Sequence, residues 1–307
     1  MRRMRRHVAA LTVVLACAGC GSSRQAPPTT PSADRGAAVV ERVQVAPRLV
    51  DLTIRSPALG TNAKVRLLTP VGWRAGRAWP VLYLLHGCCD TYDSWTRETD
   101  VARIRALREV LVVMPAGGAV GFYSDWRKGP AWETFHLVEL RRILERGYRA
   151  GPRMAIAGLS MGGLGAMDYA ARHPGMFRAA ASYSGLLHPL GDARALLGLF
   201  AAHTSDPLAV WGDPTEDRAR WAAHDPAELA GRLRGVRLFV SSGNGAGRDP
   251  IEATTYRESR AFVRRLRGLH IAVRTDFYGP GVHSWPYWQR ELHRSLPLLL
   301  GAITRTR

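Results

Sequence analysis

Apolar and polar residues change rhythm several times along the chain. Leu49 to Ile54 and Lys64 to Leu68 alternate apolar with polar positions, the period of a strand with one wet face, and predict an antiparallel edge pair. Val81 to Leu85 and Val110 to Met114 are unbroken apolar runs, as expected of strands buried on both faces. Met154 to Ala157, Ala179 to Tyr183, Leu238 to Ser241 and Val273 to Tyr278 are further short strand candidates. Phe135 to Tyr148, Met161 to His173, Glu252 to Leu266 and Trp285 to Leu300 carry their apolar residues at helical spacing. Strands alternating with helices predict an α/β fold with a mainly parallel central sheet and helices on both faces.

The first residues do not belong to that pattern. Arg2, Arg3, Arg5 and Arg6 precede a short apolar run, Val8 to Gly19, which is too short to span a bilayer and fits the core of an export signal. Ala18-Gly19-Cys20 closes it with small residues before a cysteine, which resembles a bacterial lipoprotein cleavage box. Residues 1–20 therefore read as a lipoprotein-type signal peptide, with a lipid anchor through Cys20. Residues 21–47, rich in Ser, Pro, Thr and Ala, read as a flexible linker, and residues 48–307 as the folded catalytic domain. This organisation places the protein on the outer face of a bacterial cytoplasmic membrane, or secreted.

A chain of 307 residues that is 46% hydrophobic can bury one large core. Its formal charge of +18 is almost wholly arginine, since only Lys64 and Lys128 are lysines. No zinc-finger spacing, aromatic RNA-binding signature or basic zipper accompanies that charge, so nucleic acid is not the expected partner. Arginine-favouring codons account for it, and an anionic cell-envelope surface is the partner it would suit. With Cys17 and Cys20 in the signal region, only the neighbours Cys88 and Cys89 remain in the domain, as a vicinal disulfide or as two thiols. No Walker loop and no H-E-x-x-H sequence is present, so neither a cofactor nor a metal is expected.

Gly158-Leu159-Ser160-Met161-Gly162 stands between a predicted strand and a predicted helix. In that setting G-x-S-x-G resembles the nucleophile turn of the α/β-hydrolase fold, which makes Ser160 the candidate nucleophile. Serine needs a base, and in that fold the partners follow in the order Ser, acid, His. His283 lies in the loop after the last predicted strand, beyond Gly279-Pro280-Gly281, where the base belongs. The acid should follow the strand Leu238 to Ser241, and spacing leaves Asp249, Glu252 and Glu258 open. An oxyanion hole needs the amide after the nucleophile, from Met161, and one from the loop after an earlier strand. His86-Gly87-Cys88-Cys89 occupies that loop, so Cys88 is the second donor, with His86 either shaping the loop or serving the site.

From Leu82 onward the chain resembles the esterase family that includes esterase D and the secreted mycolyltransferases of the antigen 85 complex. The landmarks are Phe122-Tyr123-Ser124-Asp125-Trp126, Trp132-Glu133-Thr134-Phe135, the Ser160 turn, Ser184-Gly185-Leu186-Leu187, Val210-Trp211-Gly212-Asp213, Gly243-Asn244-Gly245 and His283-Ser284-Trp285-Pro286-Tyr287-Trp288. The resemblance implies a triad of Ser160, Glu252 and His283, an oxyanion hole from Cys88 and Met161, and Ser284 and Trp285 lining the substrate cleft. It implies a serine esterase acting on small-molecule or lipid esters through an acyl-enzyme, with an acyltransferase of the mycolyltransferase type, acting on envelope sugars or lipids, as the alternative. The chain departs from the mycolyltransferases at two places. Cys89 replaces an arginine and His188 an aspartate, which removes polar contacts to a sugar and favours hydrolysis.

Overall fold

The computed structural model describes residues 36–73 and 77–304. The export signal, Cys20 and most of the linker lie outside those residues. Nine strands form one sheet: β1 Ala38–Ala46, β2 Leu49–Ser56, β3 Thr61–Leu68, β4 Trp79–Leu85, β5 Leu111–Pro115, β6 Ala150–Leu159, β7 Phe177–Tyr183, β8 Arg237–Gly243 and β9 Val273–Tyr278. Their order is β1-β2-β3-β5-β4-β6-β7-β8-β9. The first three strands run antiparallel to their neighbours, and from β5 to β9 every pairing is parallel. Five main helices accompany them: α1 Arg141–Tyr148, α2 Met161–Arg172, α3 Ala193–Ala201, α4 Pro250–Gly268 and α5 Trp285–Ile303.

Residues 38–46, placed by composition within the linker, form the edge strand β1 instead. Val39, Val40, Val43 and Val45 favour extended backbone, and the strand pairs with β2 across a tight turn at Pro47-Arg48. Both of its faces are in water, so the in-and-out alternation that reveals β2 and β3 is missing from its sequence. The predicted helix at 135–148 is present too, with a π-helical turn over Phe135–Leu140 leading into α1.

The unbroken apolar runs divide between two cores because successive side chains leave a strand on opposite faces. Val81, Tyr83 and Leu85 of β4 join one core, with Leu144 of α1, Leu164 and Met167 of α2, and Phe262 and Leu266 of α4. Leu82 and Leu84 join the other, with Trp288, Leu292, Leu296 and Leu299 along one stripe of α5. Each such buried side chain stabilises the fold by about 1.5–3 kcal/mol relative to exposure. This burial holds α5 against the sheet and thereby fixes the loop that precedes it, which carries His283.

His136 shows how polar groups survive in that interior. It is fully buried, its Nε2 donates to Ala116 O at 2.8 Å, and its Nδ1 lies 2.9 Å from the Tyr169 hydroxyl. Burial pushes its pKa down to about 4. An unfolded histidine titrates near 6.5, so between about pH 6.5 and 4 the unfolded chain binds more protons, and stability falls as pH falls. This one group accounts for a loss of about 3 kcal/mol across that window. Urea unfolding at pH 7.5, 5.5 and 4.5 should show a shallower pH slope for His136→Asn than for wild type. Equal slopes would remove His136 as the cause.

Candidate active site

Strand β6 delivers the chain to Ser160, which adopts φ 52° and ψ −120° at the start of α2. A non-glycine residue at positive φ costs on the order of 1–3 kcal/mol and persists only where its surroundings enforce it. Here the Ser160 amide donates to Tyr183 O at 2.9 Å, and its carbonyl accepts from Gly163 and Leu164. The flanking glycines are sterically required. A Cβ on Gly158 would stand 2.1 Å from Gly162 O, and one on Gly162 would stand 2.5 Å from Leu85 O. The motif thus presses the turn against the end of β4 and leaves the Ser160 side chain at a cleft.

That β4 end supplies the second amide. Cys89 N–H donates to Ala119 O at 3.1 Å, whereas Cys88 N–H has no protein acceptor among the described residues. Met161 opens α2, so its amide has no carbonyl within its own helix to bond. The loop is braced by His86. Gly117 N–H donates to its Nε2 at 2.8 Å, so that nitrogen is bare and Nδ1–H donates to Gly87 O at 2.8 Å. Burial lowers the His86 pKa further, and the ring shapes the loop as a neutral imidazole.

The three candidate acids occupy three different places around α4. Glu252 is fully buried, and its Oε2 lies 2.7 Å from His283 Nδ1. Its Oε1 accepts from Gly243 N–H at 2.5 Å, Ser184 Oγ at 2.8 Å and Ser242 Oγ at 3.2 Å, and Oε2 also accepts from Thr255 Oγ1 at 3.3 Å. Asp249 caps α4, its carboxylate accepting from Glu252 N–H at 3.0 Å and from His283 N–H at 2.7 Å, so it ties the backbone of the histidine loop to the helix and does not touch the imidazole. Glu258 lies two turns along α4 and faces the cleft.

With Nδ1–H given to Glu252, His283 has a bare Nε2. The imidazole stands edge-on to Trp288 at 4.8 Å, and the Trp288 Nε1–H donates to Ser184 Oγ at 3.1 Å. No hydrogen bond joins His283 to Ser160 Oγ, but both line one cleft of about 520 Å³, with Cys88 and Cys89. Such bonds commonly tighten only when substrate is bound.

Ser284 and Trp285 do not line that cleft. Ser284 is the residue before α5, and Trp285 packs against Trp95 and Trp288, with ring centroids at 5.3 Å in each case. The helix begins so soon after His283 that the Trp285 side chain turns to the sheet. The opposite wall comes from residues that periodicity did not mark, among them Leu186, Pro189, Leu196 and Leu199. Ser184, Ser242 and Thr255, which hold Glu252, were also invisible as donors, since isolated hydroxyls carry no periodic signal.

Among the described residues, two clusters have ligand atoms close enough for a metal ion: Cys88, Cys89 and His203 at the rim, and Glu133, Asp168 and His224 in the core. In the first, Cys88 and Cys89 are joined to each other as a disulfide, so they offer no thiolate. In the second, Glu133 is bonded to Arg172 and His173, and Asp168 to His224, so the charges are already compensated.

Comparison with known proteins gives a consistent result. The family model described as putative esterase matches residues 56–299. An esterase of Mycobacterium tuberculosis strain H37Rv is 35% identical over 229 residues, and the match covers 68% of this chain but 48% of that protein, so the chain spans about half of its length. A Mycobacterium ulcerans protein named diacylglycerol acyltransferase/mycolyltransferase Ag85A is 34% identical over 289 residues, covering 83% of this chain and 82% of that one. The crystal structure of Mycobacterium tuberculosis MPT51 superposes with a TM-score of 0.73 at 30% identity, over 84% of this chain and all of that one.

Proposed function

Because the chain belongs to this esterase family and has its α/β-hydrolase fold, we propose that it is an exported serine esterase that hydrolyses carboxylic esters through an acyl-enzyme on Ser160. The observation that carries the reading is the 2.7 Å contact between His283 Nδ1 and the buried Glu252, at a cleft shared with Ser160. The bare Nε2 of His283 takes the proton from Ser160 Oγ as that oxygen bonds to the ester carbon. The carbonyl electrons move onto oxygen, where the Cys88 and Met161 amides stabilise the charge, each such donor contributing about 10²–10³ in rate. Collapse breaks the bond to the alcohol, which leaves with the proton carried by His283. Water then repeats the two steps in place of Ser160 and frees the acid.

Export, and a lipid anchor through Cys20, rest on the basic and apolar leader that ends in Ala18-Gly19-Cys20. With that leader the working place is the outer face of the cytoplasmic membrane, or outside the cell, and the substrates are small-molecule or lipid esters met there. A second reading, acyl transfer to an alcohol, is favoured by the relative named as an acyltransferase. Purified protein given p-nitrophenyl esters from acetate to palmitate, with and without excess glycerol or trehalose, separates the two. The expected product is free acid in every case. Diversion of most acyl groups onto the added alcohol would replace the hydrolase reading with the transferase one.

A further inference from the structure

Helix α4 presents two stripes, each with residues at i, i+3 and i+7. Glu252, Thr255 and Ser259 turn inward and are fully buried. Ile251, Thr254 and Glu258 turn to the cleft. Two neighbouring stripes on one helix therefore do different work, and Glu258 is the ionisable member of the second. It is 7% exposed, and its carboxyl makes a single hydrogen bond among the described residues, accepted at Oε2 from the His188 amide at 3.1 Å. The other oxygen opens to the cleft and has bonding capacity left for a ligand.

We propose that Glu258 is a specificity-determining residue, forming a hydrogen-bonding subsite for a hydroxyl group carried by the ester substrate some atoms away from its carbonyl. The proposal rests on the esterase reading above and narrows its substrate class. Three features select a hydroxyl. Leu186, Leu196, Leu199 and Ile251 make most of the surface around it apolar, with Thr254 and Asp192 as the other polar members, so the body of the substrate is hydrocarbon. Among the described residues no arginine or lysine lines the cleft, although the chain holds 43 of them, so a carboxylate or phosphate on the substrate would find no counter-charge there. Burial, with Asp225 and Asp192 nearby and His188 opposing them, pushes the Glu258 pKa up to about 7, and the His188 ring is itself paired with Asp225 at 2.9 Å. Near neutral pH both forms of the carboxyl are present. A hydroxyl satisfies either, donating to the carboxylate or accepting from the acid, whereas an ammonium group suits only the carboxylate.

The test compares p-nitrophenyl esters of plain acyl chains with the same chains hydroxylated at successive carbons, and alkyl esters with their hydroxylated-alcohol counterparts. In wild type, at least one hydroxylated member is expected to exceed its plain counterpart in kcat/KM by about 10–100-fold. In Glu258→Leu that ratio falls to about one, and Glu258→Gln, which keeps hydrogen-bonding capacity, retains part of it. Glu258→Gln also reads the ratio should the leucine variant fail to fold by thermal melting. A wild-type ratio near one throughout both series overturns the subsite, as does a ratio that both variants leave intact or a stronger preference for ammonium-bearing esters. Absence of turnover on every plain ester overturns the esterase reading as well, and that failure is recognised separately because p-nitrophenyl acetate needs no subsite.

Discussion

Ser160→Ala is expected to lower kcat/KM on p-nitrophenyl esters by about 10⁴–10⁶-fold, the range found when a triad nucleophile is removed. The loss is large because the remaining groups have no bond to form. His283 would have no proton to take, and the amides of Cys88 and Met161 would face a carbonyl that never becomes tetrahedral. Alanine inherits the same strained backbone, φ 52°, so the turn keeps its shape and its cost. Thermal unfolding should therefore change by only a few degrees, which separates lost chemistry from lost folding. Activity within tenfold of wild type, in a preparation free of wild-type enzyme, would sink the acyl-enzyme mechanism.

Glu252→Gln is the second large effect, with kcat expected to fall by about 10³–10⁴-fold. Gly243 N–H, Ser184 Oγ and Ser242 Oγ all donate to Oε1, and His283 Nδ1 donates to Oε2. A glutamine has one acceptor oxygen for these two clusters. If its amide nitrogen faces His283, the ring must turn its proton to Nε2, and the base is lost. If the nitrogen faces Gly243, two donors meet in a dry site, at a cost of about 1–3 kcal/mol. Activity and urea unfolding measured together should show loss in both, with the kinetic loss far the greater. A variant with near-normal kcat would mean that His283 is not oriented through this carboxylate.

The parts of the molecule that sequence reveals are those where a period meets a single environment. The β4 run is continuous because both faces are dry, and β2 and β3 alternate because one face is wet. Strand β1 escaped because water lies on both sides of it. Helix α3 and the wall from Leu186 to Leu199 escaped because short elements between irregular turns do not hold a period long enough to read. At the site, Ser160 stood out through the steric demands of its glycines, and His283 through chain order. The acid could not be read from spacing alone, since Asp249, Glu252 and Glu258 are separated only by how far each has rotated around a helix. The expectation for Ser284 and Trp285 failed for a related reason. Adjacency to His283 in sequence becomes a turn away from the cleft once α5 begins.

Helix α4 joins the general machinery to the selective wall in one rigid rod. Any tilt that widened the cleft for a bulkier ester would also draw Glu252 away from His283, to which it is tied at 2.7 Å. A change in what the cleft accepts is then open to side-chain exchange at Ile251, Thr254 and Glu258, with the helix axis left where it is. Those three positions form a natural library for retuning selectivity, since none of them shares the buried stripe that holds the histidine in place.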